Sequence, residues 1–125
     1  MDGVKITPLE RLSQDERGGN FALETRPRPD FLVIYRKKGT ISGDHYHLGR
    51  IPEKNPEVII FLSGEADFSW RKLTEKNVVI RRLVAPCKME IKPNVWHELV
   101  AKTDVVFLEE GCLPPGEYER DTKRL

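Results

Sequence analysis

The sequence predicts an all-β fold, a sandwich or barrel of short strands, on three observations. About eight to ten runs of β-branched and aromatic residues recur at roughly 8–12-residue spacing. Turns bearing glycine, proline and asparagine separate these runs. Residues 1–25 lack helical periodicity, and helix is expected to be scarce throughout.

In chain order, Val4–Ile6 and Phe21–Leu23 are short strand candidates, with the turn-rich polar link Gln14–Asn20 between them. Thr25–Asp30 holds Pro27 and Pro29, which have no N–H to give a ladder, so no central strand passes there. Phe31–Tyr35 reads as a strand by its β-branched and aromatic content and ends at Lys37–Gly39. Ser42–Leu48 is the next strand, and Gly49–Pro56, with two prolines and a glycine, is a loop. Glu57–Leu62 is the most apolar strand; Ser63–Gly64 turns it into Glu65–Trp70 to make a hairpin. After the charged loop Lys72–Asn77 comes the strand Val78–Val84. Lys88–Ile91 leads into a turn at Pro93–Asn94, His97–Ala101 leads out, and Asp104–Glu109 is the last core strand. The tail Gly111–Leu125 is expected to be a short arm or short helix over the barrel mouth.

At 125 residues the chain has the length of a single domain: N-terminal strands and link over 1–30, barrel over 31–110, arm over 111–125. A formal charge of +1 makes no electrostatic case for nucleic acid, and no long basic block points to a membrane surface. No apolar run approaches membrane-spanning length and the polar start is not that of a signal peptide, so a cytoplasmic protein is expected. Cys87 and Cys112 are too few for a disulfide framework and read as buried free thiols, with a ligand role for Cys87 the lesser alternative.

The chemistry gathers around three histidines. His45 and His47 are two apart on a predicted strand, so both point to one face while Tyr46 points to the other. Paired imidazoles suit an apolar core poorly, since each has ring nitrogens to satisfy, but they are a good start on a metal site. His97, the third histidine, follows the Pro93–Asn94 turn.

These residues carry a resemblance. Gly39, five residues, His45-Tyr46-His47, a spacer, Glu57, six residues and Gly64 resemble the first motif of the cupin superfamily. The spacer departs from the pattern: nine residues separate His47 from Glu57, where the family usually has three or four. Lys92-Pro93-Asn94-Val95-Trp96-His97 resembles the second motif, Pro-x-Gly-x-x-His, with Asn94 at the glycine position. Asparagine accepts a left-handed backbone more readily than other non-glycine residues, so that exchange is mild. The closing asparagine of that motif would fall at Ala101. The resemblance implies a double-stranded β-helix, the jelly-roll cupin barrel. It also implies a divalent metal (zinc, iron, nickel, manganese or copper) held by His45, His47, Glu57 and His97. Glu53, in the proline-flanked loop, and three histidines plus water are the alternatives to Glu57, which opens a strand at the motif distance from Gly64.

On parity, Glu57, Ile59 and Phe61 share the inward face while Val58, Ile60 and Leu62 face out and need a cover. N-terminal strands or a second subunit would supply it, and a homodimer is expected. The order of parts further resembles cupins of nucleotide-sugar and capsular-polysaccharide metabolism. That implies a small-molecule ligand such as a sugar derivative, and proton abstraction beside a metal-polarised ketone. Tyr35, one strand before the histidines, is a weak candidate for proton transfer, and Glu98 a weaker one, since it points opposite to His97. A non-haem iron dioxygenase and a cupin that only binds a small molecule are the alternatives.

Overall fold

A computed structural model describes residues 3–27, 30–111 and 120–125. Among these residues run twelve strands: β1 (Val4–Pro8), β2 (Glu10–Asp15), β3 (Gly18–Ala22), β4 (Phe31–Arg36), β5 (Ile41–His47), β6 (Glu57–Ser63), β7 (Glu65–Lys72), β8 (Val79–Val84), β9 (Cys87–Ile91), β10 (Val95–Ala101), β11 (Val105–Glu110) and β12 (Thr122–Lys123). One antiparallel sheet has the order β1-β9-β6-β11-β4 and the facing one β12-β5-β10-β7-β8; β2 and β3 form a separate hairpin. From β4 onward the chain passes back and forth between the sheets, which is the jelly-roll path expected of this sequence.

Alternation along the strands builds the core. Cys87, Met89 and Ile91 of β9, and Ala66, Phe68 and Trp70 of β7, point between the sheets and are buried, while their neighbours are more open. Full burial of side chains such as Phe61 and Met89 contributes about 1.5–3 kcal/mol each. Strand β6 is buried on both faces as far as Phe61: Ile59 and Phe61 join the core, and Val58 and Ile60 on the other side are buried too.

That second burial revises the expected cover. The segment joining β3 to β4 lies over this face. The Nζ of Lys88, paired in register with Ile60, donates to the Glu24 carbonyl at 3.0 Å. Arg26 reaches the Pro52 and Pro56 carbonyls and lies 3.3 Å from buried Glu110. The chain therefore covers Val58 and Ile60 itself, while Leu62, the third residue of that face, stays 40% exposed.

Two strands were not foreseen. Strand β2 forms over residues to which no element was assigned, and its end and the start of β3 take up the expected Gln14–Asn20 link, because a hairpin with both faces in water shows no apolar alternation to read. Strand β12 comes from the tail and pairs with β5, Thr122 opposite His47. Residues 112–119 of the expected arm, Cys112 among them, lie outside the described residues, as do Arg28 and Pro29 of the link. Among the described residues no helix is long and apolar enough to cross a membrane.

Candidate metal centre

Strands β5 and β10 are hydrogen-bonded neighbours, and their register sets His45 opposite His97. Between His97 and Glu98 the register shifts, so that Glu98 faces Gly43 and Asp44 is the extra residue of a β-bulge. Gly43 and Asp44 both have positive φ, 88° and 59°. A Cβ on Gly43 would lie 2.9 Å from the His97 carbonyl oxygen, so only glycine lets the strands approach this closely. The bulge also changes the parity of β5. Ser42 and His45, an odd number apart, both line the same cavity. Trp96 Nε1 donates to Asp44 at 3.0 Å, and Arg124 donates to the carbonyls of Gly43 and Asp44, which ties the bulge to its surroundings.

The second turn behaves as its sequence implied. Asn94 takes φ 62°, the left-handed conformation of the glycine it replaces, and its N–H donates to the His47 carbonyl at 2.8 Å. The turn thus joins the strand of His97 to that of His47.

The three imidazoles come from one sheet and Glu57 from the facing sheet, so the site bridges the interior. Ring centroids lie 4.7 Å (His45–His47), 4.9 Å (His45–His97) and 5.6 Å (His47–His97) apart. One candidate ligand atom from each of His45, His47, Glu57 and His97 falls within a group whose members are all within 4.8 Å of one another. Glu57 Oε1 is 3.0 Å from His97 Nε2 and 3.3 Å from His47 Nε2. Yet His47 Nε2 and Glu57 Oε1 are buried without a hydrogen-bond partner, because distance alone does not align a donor with an acceptor. Two buried polar atoms without a hydrogen-bond partner, 3.3 Å apart, fit a bound cation. The far ring nitrogens are already engaged: His97 Nδ1 is 3.0 Å from the Val95 carbonyl and His47 Nδ1 is 3.1 Å from Thr122 Oγ1. An Nδ1–H donated to the Val95 carbonyl leaves the His97 Nε2 lone pair facing the cluster.

Burial, then the neighbouring imidazoles, push the pKa of His45 down to about 3, so at neutral pH it is an uncharged nitrogen donor. For Glu57, burial opposes ionisation, but His47 and His97 outweigh it and hold the carboxyl well below its ordinary range. For His97, burial opposes the cation, and Glu57 overcomes this to raise its pKa.

Two further ionisable groups belong to the site. Lys54, buried in the spacer loop, places Nζ 2.9 Å from Glu57 Oε2 and 2.8 Å from Glu109 Oε1. Burial lowers the pKa of Lys54, but the two carboxylates outweigh it and the ammonium is held charged. Burial, then Glu57, push Glu109 up to about 7. Sequence reasoning missed both: a lysine between prolines reads as surface, and a glutamate closing an apolar strand reads as a solvated end. The unusually long spacer was the available signal for Lys54.

A cavity of about 140 Å³ opens beside the cluster. His45, His97, Glu57 and Glu109 give one side; Ile59, Phe68, Leu99 and Phe107 give an apolar side; Arg36 and Ser42 also line it. Tyr35 does not. It is 53% exposed on the outer face of β4, and its hydroxyl donates to Asp104 at 3.1 Å, so the weak candidate for proton transfer lies outside the cavity. The alternation that turns Ile34 inward turns Tyr35 out. Glu53 packs against Gly111 and is not in the group with the histidines, whereas Glu57 is. Glu98 lies opposite to His97, as its parity requires, and Cys87 is a buried free thiol raised by burial to about 11.

No protein-family model and no curated protein matches the sequence. Solved structures do match. A mutant of the 3,4-ketoisomerase QdtA from Thermoanaerobacterium thermosaccharolyticum, in complex with TDP-4-keto-6-deoxyglucose, is 18% identical over 100% of this chain and 89% of that one, with a TM-score of 0.68. The TDP-quinovose 3,4-ketoisomerase WlaRB from Campylobacter jejuni is 23% identical over 94% of this chain and 92% of that one, with a TM-score of 0.69. The capsular polysaccharide assembling protein CapF from Staphylococcus aureus is 20% identical over 94% of this chain but 34% of that one, with a TM-score of 0.61. At these identities what is shared is the architecture, and this chain has the jelly-roll fold of these proteins.

Proposed function

We propose that this protein is a metal-dependent isomerase acting on a keto-sugar carried by a nucleotide, of the 3,4-ketoisomerase type. The observation that carries the reading is the convergence of His45, His47, His97 and Glu57 in one group, of which His45, His97 and Glu57 also line a cavity. The fold is shared with ketoisomerases, one of them in complex with TDP-4-keto-6-deoxyglucose. Three imidazoles and a carboxylate suit zinc, iron, nickel or manganese. A divalent cation bound there supplies Lewis acidity for the charge that develops when a proton leaves the carbon beside a ketone.

The chain's own groups do the rest. At about 140 Å³ the cavity is below the usual small-molecule pocket of roughly 300–1,000 Å³, so it takes the reacting ring and leaves the nucleotide outside. The side chains of Ile59, Phe68, Leu99 and Phe107 exclude water from one face of that ring. Glu109 takes the place first assigned to Tyr35, lining the cavity where it can accept a proton from a bound ligand. Moving the ketone from C4 to C3 removes a proton from C3 and from its hydroxyl and returns protons to C4 and to the new hydroxyl there.

A homodimer belongs to the same reading, with its support now in the β2–β3 hairpin. The hairpin is exposed along nearly its whole length, with Leu12 63% exposed and Phe21 and Leu23 also open. An isolated hairpin is marginal in water, so a second copy is the natural support. Sedimentation velocity should then give twice the 14.4 kDa chain mass.

The test is elemental analysis followed by incubation with TDP-4-keto-6-deoxyglucose in deuterated water. Bound metal, a new 3-keto product with deuterium at C4, and deuterium at C3 of the recovered 4-keto substrate are expected by NMR, with most metal lost in His47→Ala. Iron with oxygen consumption would indicate the dioxygenase alternative, and metal with no exchange would leave a binding protein. Full metal occupancy in His47→Ala would refute the ligand set.

A further inference from the structure

The spacer that departs from the cupin pattern delivers Lys54 to the site. Its position is set by a tight turn and not by a loose loop: Lys54 N–H donates to the Ile51 carbonyl at 2.9 Å, and Lys54 and Glu57 form an isolated β-bridge. The side chain is 1% exposed. Burying an ammonium costs several kcal/mol unless it is paired and hydrogen-bonded, so an apolar side chain would fill this place more favourably if filling were all that was needed. The pairing sorts the two oxygens of Glu57. Oε2 is held by Lys54 at 2.9 Å, while Oε1 faces His47 and His97 with no hydrogen-bond partner. A carboxylate with both oxygens free can close on a cation through both of them. One whose second oxygen accepts from an ammonium presents a single oxygen.

We propose that Lys54 is a positioning residue that restricts Glu57 to one-oxygen ligation and so keeps a coordination position open toward the cavity. This rests on the metal reading above and adds to it the reason for the nine-residue spacer. An open position is what separates a reactive metal site from a closed structural one. Glu109, 2.8 Å from the same ammonium, keeps Nζ from turning wholly onto Glu57 and fixes the direction of its approach.

The test compares the full-length native protein with Lys54→Met, each loaded with cobalt for its visible absorption and with zinc for crystal structures. In the native protein one Glu57 oxygen should bind the metal while the other stays on Lys54. In Lys54→Met both oxygens should bind, and the cobalt band should weaken as coordination rises, with the fold intact by circular dichroism. An unchanged cobalt spectrum in folded Lys54→Met, or two Glu57 oxygens bound in the native protein, would overturn the proposal. Should Lys54→Met fail to fold, the native zinc structure decides alone, by one bound oxygen or two. Failure of the native protein to take up either metal would instead overturn the metal reading, and the role of Lys54 with it.

Discussion

The same two sheets enclose two kinds of interior. Away from the cavity, β9 turns Cys87, Met89 and Ile91 inward and β6 turns in Phe61, all apolar or nearly so. Beside the cavity, β10 turns in His97 ahead of Leu99, and β6 begins with Glu57. Alternation decides which side chains enter the interior in both regions; it does not decide their chemistry. The apolar region stabilises the fold without external partners, whereas the ionisable region carries orphaned atoms and depends on neighbours such as Lys54. The largest effect should come from weakening the first region. Phe61→Ala removes a fully buried ring and should cost about 3–5 kcal/mol in denaturant unfolding of the metal-free protein. Its metal stoichiometry should match that of the native chain. A loss of metal at the same time would mean that the two regions are not separable.

Replacing a ligand tests the contrast from the other side. Glu57→Gln keeps the shape and removes the charge, and metal affinity should fall by about a hundredfold, the upper end of what perturbing a site's supports costs. Glu53→Gln should leave affinity unchanged, since Glu53 packs on Gly111. Competition with a chromogenic chelator measures both. Equal losses in the two variants would undo the assignment of the carboxylate.

The contrast also explains what the sequence could disclose. Strand alternation set His45 and His47 on one face and turn chemistry accounts for the left-handed Asn94, both local rules, whereas Glu57 and His97 were reached through the resemblance to the two cupin motifs. The apolar strands were legible by the same local rules. Lys54 and Glu109 were not, because their burial follows from a loop folding back over the barrel and from pairing across strands that are distant in sequence. Strand β2 was illegible because an exposed hairpin leaves no apolar pattern. The bulge at Gly43–Asp44 lay between the two. Its residues invite positive φ, but its effect on which side chains share a face depends on the register with β10. Gly43→Ala probes that dependence. The new methyl would meet the His97 carbonyl at 2.9 Å in a backbone conformation disfavoured by about 1–2 kcal/mol, so stability should drop by that amount. Metal affinity should fall less than in Glu57→Gln, since His45 shifts but remains. An unaltered melting temperature would mean the strands separate freely at this point.

Tyr35 marks the outer limit of the site and should give the smallest effect. Its neighbours Ile34 and Arg36 line the cavity, and a reading by proximity in sequence would include it. Its hydroxyl is instead committed to Asp104, whose other oxygen accepts from the Lys38 N–H at 2.8 Å, so the pair braces the β4 end of the barrel from outside. Tyr35→Phe deletes one exposed hydrogen bond and touches nothing between the sheets. Metal content, deuterium exchange with the keto-sugar and its pH profile should all match the native protein. A fall in exchange with unchanged metal binding would return Tyr35 to the reacting groups. It would require β4 to turn over when ligand binds, and the inward packing of Ile34 against the core would then have to break.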